Sequence, residues 1–264
     1  MKPRLVVVGG GRMGEALVSG VLRARWAKAR EVVVVEPIET RRAELELAYP
    51  GVAAATTVPA GAGGVILAVK PIDVADACAA IAAANPARVL SIAAGVPLAR
   101  LEGWLGEIPT VRAMPNTPAL IGAGAAAIAP GTFAGPADLA WAEEVLGSVG
   151  LVVRSTEKSL DAVTGLSGSG PAYVFLIAEA LVDAGVLVGL DRATSAALTR
   201  QTLLGAARLL DESGDSPEAL RAAVTSPGGT TAAGLRVLEQ RAVRAAILDA
   251  VVAATERARE LGRG

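Results

Sequence analysis

A ten-residue stretch near the amino terminus, Leu5–Gly14, restricts the fold more than any other. Leu5–Val8 is an unbroken apolar run. It gives way to Gly9, Gly11 and Gly14, spaced G-x-G-x-x-G, and Met13–Leu22 then carries the apolar spacing of a helix. Each glycine has a separate task at a strand-to-helix junction. Gly9 makes the tight turn, Gly11 lets a pyrophosphate approach the backbone, and Gly14 lets the helix pack closely on the strand. The helix start offers unpaired N–H groups and the positive end of its dipole to phosphates. Glycine-rich turns are common, and it is the strand before and the helix after that point to a dinucleotide. Gly9, Gly11, Arg12, Met13 and Gly14 are therefore candidate cofactor-binding residues.

The next elements extend the same pattern. Glu31–Glu36 (EVVVVE) reads as a second strand, buried on both faces as in a parallel sheet. Its final residue, Glu36, lies about twenty residues past the glycines, where an acid hydrogen-bonds the adenosine ribose 2′-OH. Arg41 and Arg42 follow and offer the alternative of a 2′-phosphate. Helix Ile38–Ala48 leads to strand Gly64–Val69, which stops at Lys70-Pro71 because proline cannot continue the ladder. Ala68, Val69, Lys70 and Pro71 thus fall at the ligand-binding edge of an open sheet. Further helices are expected at Ile72–Ala84, Leu98–Leu105 and Pro136–Gly147, and strands at Arg88–Ala93, Thr110–Ala113, Ala123–Ala129 and Leu151–Val153. Ala93, Ala94 and Gly95 are small and leave room for a ligand. Met114-Pro115-Asn116-Thr117-Pro118 forms a rigid loop with Asn116 available for hydrogen bonds. This alternation predicts an α/β fold with a doubly wound, mostly parallel sheet over residues 1–155.

From 156 to 264 the texture is all-helical. Pro171–Val188 is apolar around nearly its whole circumference, interrupted only by Glu179 and Asp183. Two acids in mid-helix speak against a membrane span. A helix apolar all round is buried in a soluble protein, and a domain of this size cannot cover it alone, so an oligomer interface is expected. Asp191 starts a helix to about Leu210, Ser216-Pro217-Glu218 caps another, and Ala242–Leu261 is the last. Two glycine-rich stretches, Ser167–Pro171 (SGSGP) and Ser226–Thr231 (SPGGTT), read as turns opening helices, each an anion receptor or an ordinary helix start.

Composition narrows the chemistry. The 264 residues include no histidine, which excludes imidazole acid–base catalysis, a Ser-His-Asp triad and a His-ligated metal. The one cysteine, Cys78, lies in an alanine-rich helix and fits a core position in a reducing, cytoplasmic chain. Basic and acidic residues number 25 and 26, so no electrostatic footprint for nucleic acid or an anionic membrane is present. The amino terminus has no signal-peptide pattern. The chemistry must then reside mostly in a cofactor.

Six stretches together resemble the pyrroline-5-carboxylate reductases: Val8–Gly14, Ala68–Pro71, Ser91–Gly95, Met114–Pro118, Asp161–Tyr173 (DAVTGLSGSGPAY) and Ser226–Thr231. They occur in that family's order, and the resemblance spans essentially the entire chain. It implies hydride transfer from NAD(P)H to the C=N carbon of 1-pyrroline-5-carboxylate, yielding L-proline. It also implies that Ala68–Pro71 and Ala93–Gly95 flank the dinucleotide, with Asn116 near the nicotinamide. Substrate contacts would come from Ser226, Gly228, Gly229, Thr230 and Thr231, the Thr231 hydroxyl meeting the ring nitrogen, and from Glu157 just before the DAVTG stretch. A homo-oligomer through the C-terminal helices is implied, with the glycine loop of one subunit facing the helical domain of another. Glu36 departs from the small hydroxyl residue that many members carry near the NADPH 2′-phosphate. A carboxylate there favours NADH, unless Arg41 or Arg42 offsets it. Two other readings compete: a two-domain reductase of the β-hydroxyacid dehydrogenase type, for which Lys158 is the only lysine in the helical half, and a dinucleotide sensor without turnover.

Overall fold

The computed structural model describes residues 2–263. Its sheet has eight strands: β1 (Leu5–Val8), β2 (Val32–Val35), β3 (Ala53–Ala55), β4 (Val65–Leu67), β5 (Val89–Ser91), β6 (Thr110–Met114), β7 (Gly124–Pro130) and β8 (Gly150–Arg154). They lie in the order β3-β2-β1-β4-β5-β6-β7-β8, every pair parallel except β6 with β7. The valine runs of β1 and β2 pair in register from Leu5 with Val32 to Val8 with Val35. Covering both faces buries them almost completely.

Helices α1 (Arg12–Arg23), α2 (Glu39–Ala48), α3 (Val74–Ala84), α4 (Leu98–Leu105) and α5 (Pro136–Gly147) alternate with these strands. Two apolar layers result. One gathers Leu5, Val7, Leu17, Ile66, Leu90 and Leu146. The other gathers Val6, Val65, Cys78, Ile81, Leu101 and Leu105. Alternate β1 residues thus serve opposite layers, as the two-residue period of a strand requires.

Past the sheet the chain forms α6 (Leu160–Val163), a π-turn at Thr164–Gly168, α7 (Gly170–Leu187), α8 (Arg192–Glu212), α9 (Pro217–Ala223), α10 (Thr230–Gln240) and α11 (Val243–Arg263). The chain divides into two compact units, residues 1–169 with 252–264, and residues 170–251. That differs from a division at 155 and 156, for a physical reason. Leu160 is fully buried against Ala127 and Ala129 of β7, which keeps the first helical turns with the sheet.

The glycine-rich stretch Ser167–Pro171 is not a helix-opening turn. It lies inside one helical stretch, Glu157–Leu187, and its backbone is engaged there. Among the described residues this stretch alone is long and apolar enough to cross a bilayer by length and composition. No residue of α7 is buried within the chain. Phe175, Leu176 and Leu187 stand exposed, so the apolar surface expected to be covered is not covered by this chain itself.

Candidate active site

The carboxyl ends of β1, β2, β4, β5 and β6 share one edge of the sheet, because these five strands are mutually parallel. β1 lies between β2 and β4, where the strand order reverses, and open α/β sheets bind ligands outside such a switch point. The glycines of the first loop behave there as their spacing demands. Gly9 has φ +105°, and a Cβ on it would lie 2.5 Å from the Ala68 carbonyl oxygen. A Cβ on Gly14 would collide with the Gly9 carbonyl, whereas one on Gly11 would meet nothing within 4 Å. Two glycines therefore allow close protein packing, and the third leaves open space over the backbone.

Gly11 caps α1 without a side-chain hydrogen bond, which leaves the N–H groups of Arg12, Met13 and Gly14 for a ligand. That combination fits a pyrophosphate. Beside it, Ala68 donates its N–H to the Val8 carbonyl at 2.8 Å, and the chain passes Val69 and exposed Lys70 before Pro71 opens a short 3-10 turn. At the next strand end Ala93 is buried and Ala94 exposed. Gly95, at φ +73°, abuts Leu261, so the last turn of α11 lies beside this loop.

Glu36 directly follows β2 at the glycine loop and is buried. Its carboxylate accepts from the Gly10 N–H at 3.0 Å and the Ile38 N–H at 3.1 Å. The two arginines after it are occupied. Arg41 donates to the Gly10 carbonyl and pairs with Glu44 and with Glu15. These carboxylates, Glu44 before Glu15, hold its guanidinium further into the protonated range. Arg42 donates to the backbone carbonyls of Glu36, at 2.9 Å, and Pro37, at 2.7 Å. Tyr49 joins the same rim by donating to Glu15; burial raises the pKa of its phenol.

Two residues expected to contact ligands also hold protein groups. One Glu157 carboxylate oxygen accepts from the Leu98 N–H at 2.5 Å, at the start of α4, and from Arg112 at 3.1 Å. The Asn116 carboxamide donates to the Ser167 carbonyl at 3.1 Å and accepts the Ala125 N–H at 2.8 Å. Sequence reading missed Arg112, a nearly buried cation in the middle of β6. A charged residue inside an apolar strand was the available signal, since such a group needs a partner. Cys78 is wholly buried, and burial pushes its thiol up to about 11, so it is an inert core residue.

In the helical unit, Ser226–Gly229 is a tight turn closed by the Gly229 N–H on the Ser226 carbonyl at 3.0 Å. Pro227 precedes Gly228, which has φ +72°, the sequence preference of a type II turn. The turn delivers the chain into α10, whose Gly229 cap has no side-chain hydrogen bond. A Cβ on Gly229 would collide with the Ser226 hydroxyl. Thr230 and Thr231 are the first two helical residues, Thr231 half-buried. The arrangement is a small N–H-rich, hydroxyl-bearing receptor suited to a carboxylate.

Comparisons with known proteins give these placements a context. Residues 157–261 match the model described as pyrroline-5-carboxylate reductase dimerisation, and residues 4–95 match the one described as NADP oxidoreductase coenzyme F420-dependent. The chain is 44% identical over 266 residues to a pyrroline-5-carboxylate reductase of Synechocystis, with all of both chains covered. It is similar to the solved pyrroline-5-carboxylate reductase of Coxiella burnetii, at 35% identity, TM-score 0.92 and 99% coverage of each chain. A Plasmodium falciparum pyrroline carboxylate reductase solved with NADP bound matches at 29% identity and TM-score 0.86, covering 98% of each. With a dinucleotide-type glycine loop at the switch point and a full-length match at this identity, the chain belongs to the pyrroline-5-carboxylate reductase family, NAD(P)H-dependent oxidoreductases that act on a C=N bond.

Proposed function

We propose that this chain performs the last step of proline biosynthesis, transferring hydride from NAD(P)H to the C=N carbon of 1-pyrroline-5-carboxylate to give L-proline. The observation that carries this reading is the coexistence in one chain of a glycine loop open only over Gly11 and a hydroxyl-bearing glycine turn at the start of α10. Gly9, Gly11, Arg12, Met13 and Gly14 hold the pyrophosphate. Glu36 holds the adenosine ribose, and Ala68–Pro71 with Ala93–Gly95 flank the rest of the dinucleotide. The backbone of Gly228, Gly229 and Thr230, with the Ser226 hydroxyl, receives the substrate carboxylate. The Thr231 hydroxyl hydrogen-bonds the ring nitrogen. Glu157 supports the site through Arg112 and the start of α4 with one carboxylate oxygen, leaving the other for the substrate contact that the resemblance implies.

Such a site suits a chain without histidine. A protonated imine is already electrophilic, and the cofactor supplies the hydride when bound. The protein has to orient the imine, hold its carboxylate and retain the amine that develops. Orientation alone can contribute ~7–11 kcal/mol when the geometry is good.

The same reading assigns NADH as the preferred donor. Glu36 puts a carboxylate at the ribose end, Arg41 is paired with Glu15 and Glu44, and Arg42 is drawn by its Nη1 onto the Glu36 and Pro37 carbonyls. The uncovered apolar surface of α7 pairs with a second copy of the chain, giving a cytoplasmic homo-oligomer through the C-terminal helices. The direct experiment is turnover of 1-pyrroline-5-carboxylate with NADH and with NADPH, followed by loss of reduced-nicotinamide absorbance and by proline formation. A higher kcat/KM with NADH is expected. Turnover with neither donor overturns the function, and a strong NADPH preference overturns the role given to Glu36.

A further inference from the structure

The long helical stretch Glu157–Leu187 contains a π-turn at Thr164–Gly168. The covalent chain leaves one carbonyl beside it without its α-helical partner. In an α-helix the Ser167 carbonyl accepts from the N–H four residues on, which is Pro171, and proline has no N–H. Within the turn the Ser169 N–H donates to the Thr164 carbonyl, five residues back, at 2.8 Å. Asn116 takes up the Ser167 carbonyl from outside the helix at 3.1 Å. The other end of the same carboxamide accepts the Ala125 N–H of β7 at 2.8 Å. Contact with the sheet is close next to it. A Cβ on Gly168 would lie 2.8 Å from the Met114 methyl at the end of β6.

This clamp lies at a definite place on the ligand edge. From β2, which Glu36 directly follows, to β6, where Met114 ends, the order runs through β1, β4 and β5. Four strand spacings of ~4.8 Å make about 19 Å, the scale of an extended dinucleotide. If Glu36 holds the adenosine ribose, the exit of β6 lies at the nicotinamide end. π-turns are costly irregularities found frequently at functional sites.

We propose that Asn116 is a positioning residue for hydride transfer: by holding the Ser167 carbonyl outside the α-helical ladder, it keeps the π-turn Thr164–Gly168 seated on the exit of β6 and so fixes the wall against which the nicotinamide end lies. The inference rests on the dinucleotide reading of the sheet edge given above. Asn116 contributes by rigidity, since its carboxamide has both ends engaged on the protein. Pro171 is the second half of the device, because it withholds the competing N–H.

Three variants separate positioning from ordinary structural support. Asn116→Asp keeps an acceptor for Ala125 and removes the donor to Ser167. Pro171→Ala returns the missing N–H and lets the helix close into an α-turn. The third combines Asn116→Ala with Pro171→Ala. For Asn116→Asp, kcat is expected to fall about 10²-fold, the scale of an ångström misplacement, with the NADH Kd by calorimetry within about twofold of wild type. Pro171→Ala is expected to lower kcat in the same direction without lowering Tm. In the double variant Tm returns toward wild type, because Ser167 regains a partner, and kcat does not. Wild-type kcat in Asn116→Asp or in Pro171→Ala overturns the proposal. So does recovery of kcat together with Tm in the double variant, which a merely structural role requires. A Kd that weakens in step with kcat makes Asn116 a direct cofactor contact and overturns it as well. A wild-type chain that binds no NADH defeats the underlying site reading too, and is told apart by the Kd measured before any substitution.

Discussion

Two glycine-rich helix starts, Gly9–Gly14 and Ser226–Thr231, do different kinds of work with similar residues. In the first, the glycines answer to the protein: Gly9 presses on Ala68, Gly14 on Gly9, and only Gly11 faces open space. In the second, Gly228 answers to a backbone angle in an exposed turn, and its Cβ would meet nothing within 4 Å. The first is rigid because it is packed between strand and helix. The second is shaped by turn chemistry and a hydroxyl over Gly229. A site built by packing recognises what many dinucleotides share, whereas a site built by turn and hydroxyls can be particular about one small acid.

The sharpest way to break this contrast is Gly14→Ala. The added methyl collides with the Gly9 carbonyl and must push α1 off β1, an overpacking cost of about 1–3 kcal/mol. NADH affinity is expected to fall about 10²-fold, as read by calorimetry; an unchanged Kd would mean that the loop is not held by packing. Next comes Thr231→Ala, with kcat for imine reduction lowered by about 10- to 100-fold, since a hydrogen bond to a charged group contributes about 1.5–3 kcal/mol. NADH affinity should remain near wild type. Equal loss of cofactor binding would place Thr231 at the wrong end of the chemistry. The smallest effect belongs to Glu36→Ser, which removes the charge facing a 2′-phosphate and should raise the NADPH:NADH ratio of kcat/KM by about tenfold. A ratio that stays put would move donor choice away from Glu36.

Strands β1 and β2 were open to reading because they are valine runs bounded by glycine or charge. β3 was missed for the converse reason: Ala53–Ala55 is an edge strand of alanines with no β-forming signal. Ser167–Pro171 misled because serine, glycine and proline usually mark a turn, while here a change of hydrogen-bond step lets the helix run through them. Glu36 was legible by its distance from the glycines. Its engagement by Gly10 was not, nor was the pairing of Glu157 with Arg112, 45 residues away. Local pattern shows where a carboxylate sits, and only tertiary contacts show whether it is free.

The uncovered surface of α7 has a thermodynamic consequence. When the folded form of a segment is completed by a second copy, its stability includes a mass-action contribution that rises with the logarithm of protein concentration. On the proposed pairing of α7 with a second copy, dilution would act as a mild denaturant on residues 170–251. A newly made chain that has not met its counterpart presents Phe175, Leu176 and Leu187 to whatever else is nearby.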